Sequence, residues 1–346
     1  MKSSSELSPA ESSSPCTMTR PHFERWMRHR LGLLIGLLSI GLVPRAEAQR
    51  PWSVEVDNDA LNSGIAGART DVDYTQGIRL RIPHAIASPL GQRLFRSIPG
   101  CGADGGSVPC QDWSLILGQE IYTPLTTRVK PESGDRAYAG WLGASMVTRV
   151  HTAGFERELT ITLGVTGPLS LAGPSQRSFH RLIGQSAPSG WTAQLGAEPT
   201  LDITFAGSAD LIRTDAKALL GVRITPVWNA SLGTVRRAVE IGVEVAVELG
   251  ASGVSEWRRS SAVESAPGFY LIGAIRGRVV AGNLFLDGGF FRTGPSVGHL
   301  PYVGTLELGL GARAYGLGVE WRVVTSSREY GSQGTAHTYT TLAVTI

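Results

Sequence analysis

Apolar and polar residues alternate through much of the chain. In Arg237–Leu249, the residues Val239, Ile241, Val243, Val245, Val247 and Leu249 share one face, while Glu240, Glu244 and Glu248 share the other. Ile78, Leu80 and Ile82 oppose Arg79 and Arg81 in the same way, and Leu342, Val344 and Ile346 oppose Thr341, Ala343 and Thr345. A period of two over such lengths is the signature of a β-strand with two unlike faces. The pattern predicts thirteen strands, near 52–58, 74–83, 113–120, 137–150, 154–164, 199–211, 218–228, 237–249, 268–279, 283–292, 304–314, 317–327 and 337–346. Tight links at Val279–Asn283 and Ala314–Gly318 suit hairpins. The longest links without a pattern are 84–112 and 165–198.

Long strands with one apolar face and one face of Glu and Arg fit an all-β, transmembrane antiparallel β-barrel, lipid outside and a polar lumen within. Such barrels favour an even strand number, which here means about 12. A soluble sandwich or barrel would bury the same apolar face and show the same alternation. Strand length, the glutamates along a long strand and the start of the chain together favour the membrane barrel. Residues 1–26 are Ser/Pro-rich and read as disordered. Met27-Arg28-His29-Arg30, a 13-residue apolar run over 31–43 and Ala46-Glu47-Ala48 then form a signal peptide, too short to span a bilayer as a helix. Met27 is the expected start of translation. Cleavage after Ala48 leaves 49–346 as a single barrel domain, expected in the bacterial outer membrane. Its final residue, Ile346, departs from the aromatic residue that often ends such barrels.

After residue 48 the chain carries 26 basic and 25 acidic residues, which gives no electrostatic argument for nucleic acid. Cys101 and Cys110 flank a Gly-rich stretch, and in an exported chain they are expected to close a disulfide loop.

Candidate chemistry lies at four polar stations. Asp57-Asn58-Asp59 ends one strand and Asp71-Val72-Asp73-Tyr74-Thr75-Gln76-Gly77 starts the next, so a hairpin brings the two together. Their oxygens suit a hard cation such as Ca²⁺. The third station runs from Gln119-Glu120-Ile121-Tyr122-Thr123 through Arg128 and Lys130 to Asp135, Arg136 and Tyr138, a basic loop suited to phosphate or carboxylate head groups. The fourth is a helical turn at Ser178–Gly184 containing His180, followed by Trp191 and Gln194. A neutral His is the usual general base near pH 7. On spacing alone, His180 is one of five histidines after residue 48. H-E-x-x-H does not occur.

In order and wording these stations (VDND, DYTQG, QEIYTP, GDRAY, GVTGP and HRLIG, then GW and Q) resemble the outer-membrane lipid A 3'-O-deacylases over most of residues 52–198. The resemblance implies a 12-stranded barrel with short helical segments and the active site at the extracellular rim. It implies a Ca²⁺-dependent hydrolase that removes the 3'-linked acyloxyacyl group of lipid A, with lipopolysaccharide as partner and a monomer expected. Asn58, Thr75 and His180 fall on its catalytic positions and Asp59 on its metal position. Tyr122, Arg128 and Lys130 lie where the substrate is met. In two places the chain departs from the family pattern. A glutamate expected six residues after the histidine is Ser186 here, with Glu198 as a candidate substitute. The basic pair that meets the sugar acid is Arg128 and Val129, with Lys130 next. Two other readings stay open: a binding barrel that has lost its activity, and a related calcium-dependent phospholipid esterase.

Overall fold

The structure, a computed structural model, describes residues 52–60, 70–83, 112–126, 132–152, 155–214, 220–249 and 267–346. Thirteen strands form one antiparallel sheet: β1 Ser53–Asn58, β2 Asp73–Pro83, β3 Asp112–Thr123, β4 Ala139–Thr152, β5 Phe155–Thr166, β6 Pro199–Ala209, β7 Ile212–Arg213, β8 Leu220–Gly233, β9 Arg236–Leu249, β10 Gly268–Asn283, β11 Tyr302–Ala314, β12 Leu317–Ser326 and β13 His337–Thr345. Sequence neighbours pair in turn, β1 pairs with β13, and β6 pairs with β8. The sheet therefore closes on itself. β7 is a two-residue edge on β8, so twelve strands make the cylinder.

The alternation explains the two surfaces. On β9, Val239, Ile241, Val243, Val245 and Leu249 are exposed while Glu240 and Glu248 are buried. Burying the acids and exposing the aliphatics is the reverse of a soluble protein, and it suits a lipid exterior. Inside, the charges are paired. Arg79 reaches Glu55 and Asp57 at 2.7 Å, Arg322 reaches Glu320 at 2.7 Å and Glu307 at 3.3 Å, and Arg278 reaches Glu240 at 2.7 Å. A lumen cavity of about 440 Å³ lies among such residues, including Glu55, Arg149, Glu244, Arg276 and Arg322. No helix among the described residues is long and apolar enough to cross a bilayer.

The structure changes two expectations. The 283–292 segment is not a strand, and Val279–Asn283 is not a turn: β10 runs on to Asn283, and a short helix, Leu284–Asp287, follows. Asn283 caps that helix by accepting from the Phe285 N–H at 3.1 Å. Gly288 (φ 90°) and Gly289 (φ 114°) then reverse the chain in conformations that favour glycine. The helical turn near His180 is longer than expected. It is a full helix, α1, Ala172–Ile183.

Candidate functional site

The strand ends on one side of the barrel gather the polar stations. Asp57, Asn58 and Asp59 are all buried at the end of β1. Asn58 Oδ1 accepts from the Ala60 N–H at 2.8 Å, which turns the chain off the strand. Asp59 Oδ2 accepts from the Val72 N–H at 3.0 Å, and the Asp59 N–H donates to the Thr75 carbonyl at 3.1 Å. The first two stations therefore meet, as a hairpin requires.

The returning turn is strained. Asp71 (φ 59°) and Asp73 (φ 56°) are both left-handed, which costs a non-glycine residue on the order of 1 kcal/mol each. Surrounding bonds hold them there. Asp73 accepts from Tyr330 Oη and Gln333 Nε2, each at 3.0 Å, and the buried Arg136 guanidinium lies 3.8 Å from it. Thr75 sits at a bulge, where β2 slips against β3 between Tyr74 and Gln76. A bulge re-aims its extra side chain, and Thr75 Oγ1 is 2.6 Å from Thr123 Oγ1.

Helix α1 presents the histidine to this turn. His180 is 3% exposed. Its Nδ1 lies 2.8 Å from the Ser186 carbonyl oxygen, which can only accept, so Nδ1 carries the proton. Its Nε2 faces Asp71 Oδ1 at 3.2 Å. Gln176, one turn earlier and so on the same face, donates to Asp71 Oδ1 at 2.9 Å and accepts from Trp191 Nε1 at 2.8 Å. A continuous chain of bonds thus runs from Trp191 through Gln176 to the carboxylate beside the histidine.

The electrostatics favour a cation. Burial pushes the Asp59 carboxyl up to about 8; the Val72 N–H opposes this and the Asp71 charge adds to it. Among the described residues no cationic side chain pairs with Asp59. The Asp59 and Asp71 carboxylates thus meet here with no cation paired to Asp59, a donor chemistry that fits Ca²⁺. No three His, Cys, Asp or Glu side chains among the described residues gather closely enough to hold a metal alone. A shell here would also need backbone carbonyls or water.

The structure brings Asn58, Asp59, Thr75 and His180 to one end of the barrel. Tyr122 is nearby but enclosed: its hydroxyl donates to Glu120 Oε2 at 2.6 Å and its ring stacks on Phe285 at 4.4 Å. Arg128, Lys130, Cys101 and Cys110 lie outside the described residues, as does the 1–48 leader. Glu198 is engaged elsewhere, its two oxygens accepting from the Phe290 and Phe291 N–H groups at 2.8 Å each. Gln194 donates to the Trp191 carbonyl at 2.9 Å. Gln176 is the site residue that sequence reasoning did not single out, and Asp71 was read there as a cation ligand and not as a partner of His180. A Gln four positions before the candidate histidine was the available signal.

Among solved structures, LpxR from Salmonella typhimurium is similar, with a TM-score of 0.69 and 19% identity, over 86% of this chain and 99% of that one. The NanC porin (TM-score 0.35, 8% identity, 85% and 98% covered) and the transport unit of the autotransporter AIDA-I from Escherichia coli (0.34, 10%, 95% and 99%) are more distant. No curated protein matches. The model of the family described as "Outer membrane protein LpxR" matches residues 33–346. That match spans every described strand, and with the 12-stranded barrel it places the chain in the bacterial outer membrane, as a member of the LpxR outer membrane protein family.

Proposed function

We propose that the chain is a lipid A 3'-O-deacylase, a carboxylic ester hydrolase of the outer leaflet in which His180 is the general base. The observation that carries this reading is the buried His180 ring, fixed at Nδ1 by the Ser186 carbonyl and turned at Nε2 toward the Asp71 carboxylate. With the proton on Nδ1, Nε2 carries the lone pair that takes a proton from water as that water adds to the ester carbonyl, and the Nε2–H then formed faces Asp71 and returns the proton to the departing sugar oxygen as the ester C–O bond breaks. The charge that then forms on the imidazolium lies beside Asp71. Ser186 replaces the glutamate expected to serve the metal, so other oxygens would complete the Ca²⁺ shell, while its backbone carbonyl still orients the base.

Asp59 would hold Ca²⁺, its shell completed by backbone carbonyls or water. When bound, such a cation stabilises negative charge developing on an ester oxygen. Asn58 keeps its side-chain oxygen on the turn and its amide N–H₂ available as a donor toward that charge. Thr75, coupled to Thr123, would place a hydroxyl at the same pocket.

The test is mass spectrometry of lipid A from a bacterium lacking such an activity, expressing this chain or His180→Ala, with Ca²⁺ or with chelator. The expected result is loss of a 3'-acyloxyacyl mass only with the unmutated chain and Ca²⁺. Unchanged lipid A with a folded barrel in the outer membrane would favour the inactive binding barrel. Release of phospholipid acyl chains instead would favour the related esterase.

A further inference from the structure

The segment between β10 and β11 carries a second polar and aromatic station. Beyond Gly288-Gly289, Phe290 and Phe291 are 50% and 62% exposed, with their rings 5.0 Å apart. Two exposed aromatic rings on a loop have a large cost in water. Yet the loop is held firmly in place. Glu198 is buried, and its carboxylate accepts from both consecutive N–H groups. Glu198 is in turn fixed at the end of β5, since its carbonyl accepts from the Thr166 N–H at 3.0 Å and its N–H donates to Thr166 Oγ1 at 3.2 Å. A charge-assisted clamp of this kind rigidifies a loop, and here the loop presents apolar rings outward.

The direction of that presentation follows from strand alternation. On β9 the odd-numbered residues Val239, Ile241, Val243 and Val245 form the exposed, lipid-facing row, and the even-numbered Glu240 is buried. Arg237 belongs to the odd row, at the end of the strand beside the rim. It pairs with Gly282 across the β10 bulge, and its guanidinium lies where a Cβ on Gly282 would be. The missing side chain lets the arginine lie flat on the outer surface. From there it sits 5.3 Å from the centre of the Phe290 ring, donates to the Gly233 carbonyl at 3.1 Å and keeps Asp287 at 3.9 Å. Its side chain remains 28% exposed. Phe290 therefore lies on the outward side of the wall, continuous with the apolar band below it. An aromatic pair beside an arginine, directly above a lipid-facing aliphatic row, is the chemistry of the boundary between acyl chains and anionic head groups.

We propose that Phe290, Phe291 and Arg237 form an outer-leaflet docking station, with the two rings among the acyl chains, the guanidinium toward anionic head groups, and Glu198 as the clamp that sets their height. The occupant is the lipopolysaccharide leaflet itself. This assignment does not rest on the proposed hydrolase reaction, because no step of it uses His180.

The experiment places the photo-crosslinker p-benzoyl-phenylalanine at position 291 of the full chain in living bacteria. A second variant carries it at position 315, in the tight turn at the opposite end of the barrel, where Tyr315 is 96% exposed. After irradiation, a lipopolysaccharide adduct at 291 and none at 315 is expected. Glu198→Ala and Arg237→Ala in the 291 background should each reduce the adduct several-fold while the barrel remains folded. No lipopolysaccharide adduct at 291, or adducts to protein alone, would overturn the proposal. An adduct unaffected by both substitutions would overturn the roles given to the clamp and the guanidinium.

Discussion

Gln176→Leu tests how the histidine is held. Gln176 is 1% exposed and joins Trp191 to Asp71. Leucine keeps much of the volume and removes both bonds. The Trp191 indole, 4% exposed, would keep a donor with no acceptor, costing about 1–3 kcal/mol. Asp71 would lose a neutral donor to its Oδ1, a bond worth about 1.5–3 kcal/mol for a charged acceptor, less here because its side chain is 20% exposed. If about 1.5–3 kcal/mol of this appears in the transition state, 3'-acyl release slows by roughly 10–150-fold. Timed release of the acyloxyacyl group from purified lipid A, followed by mass spectrometry, reads the rate. Gln176→Glu separates the two bonds. It keeps an acceptor for Trp191 but faces Asp71 with a like charge, so it should be slower than Gln176→Leu. If Gln176→Leu hydrolyses lipid A within about twofold of the unmutated chain, or Gln176→Glu is the faster of the pair, the positioning role is refuted.

Other outcomes follow from the same geometry. Asp59 has an ordinary value of 3.8 and is pushed up to about 8 in the folded barrel, so between these values folding takes up a proton and the metal-free barrel loses stability as pH rises. Ca²⁺ needs the carboxylate, so its affinity should rise about tenfold per pH unit up to about 8, with proton release seen by calorimetry in buffers of different ionisation enthalpy; an affinity independent of pH would refute this. Gly164→Val should destabilise the barrel by about 1–3 kcal/mol, because a Cβ there would lie 2.6 Å from Trp141 Nε1 and displace its 3.0 Å bond to Thr200; unfolding in urea from lipid vesicles reads the change. Tyr330→Phe removes one of the bonds that hold left-handed Asp73, and should lower Ca²⁺ affinity by a few-fold without unfolding the barrel, measured by the same calorimetry.

The wall of the barrel was legible because each strand residue reports its side by parity. β9 shows this best: its valines and glutamates could not both face water or both face lipid. The rim was less legible because parity ends there. Leu284-Phe285-Leu286 continues an apolar run and reads as strand, yet the Asn283 cap and Gly288-Gly289 convert it to one helical turn. Helix α1 carries Gly173 and Pro174 in its first turn, which concealed all but its second half. His180 and Asp59 were visible through their residue types and order. The partners of His180 were not. One is a backbone carbonyl at Ser186, which has no sequence signature. The other is Asp71, 109 positions away, brought near by a turn whose left-handed backbone no local rule demands.

The seam of the cylinder bears on when the site exists at all. β1, only six residues long, is bonded to β2 on one side and to the final strand, β13, on the other, in unbroken register from Ser53 with Thr345 to Asn58 with Thr340. Thr341 Oγ1 further donates to Asp57 at 2.8 Å. The acids at the tip of β1 thus depend on β13, 284 positions away at the Thr341–Asp57 bond. Before the wall closes, those acids lie on a strand with a partner on one side alone, far in sequence from the strand that must fix them. Closure of the wall and assembly of the candidate site are therefore a single event.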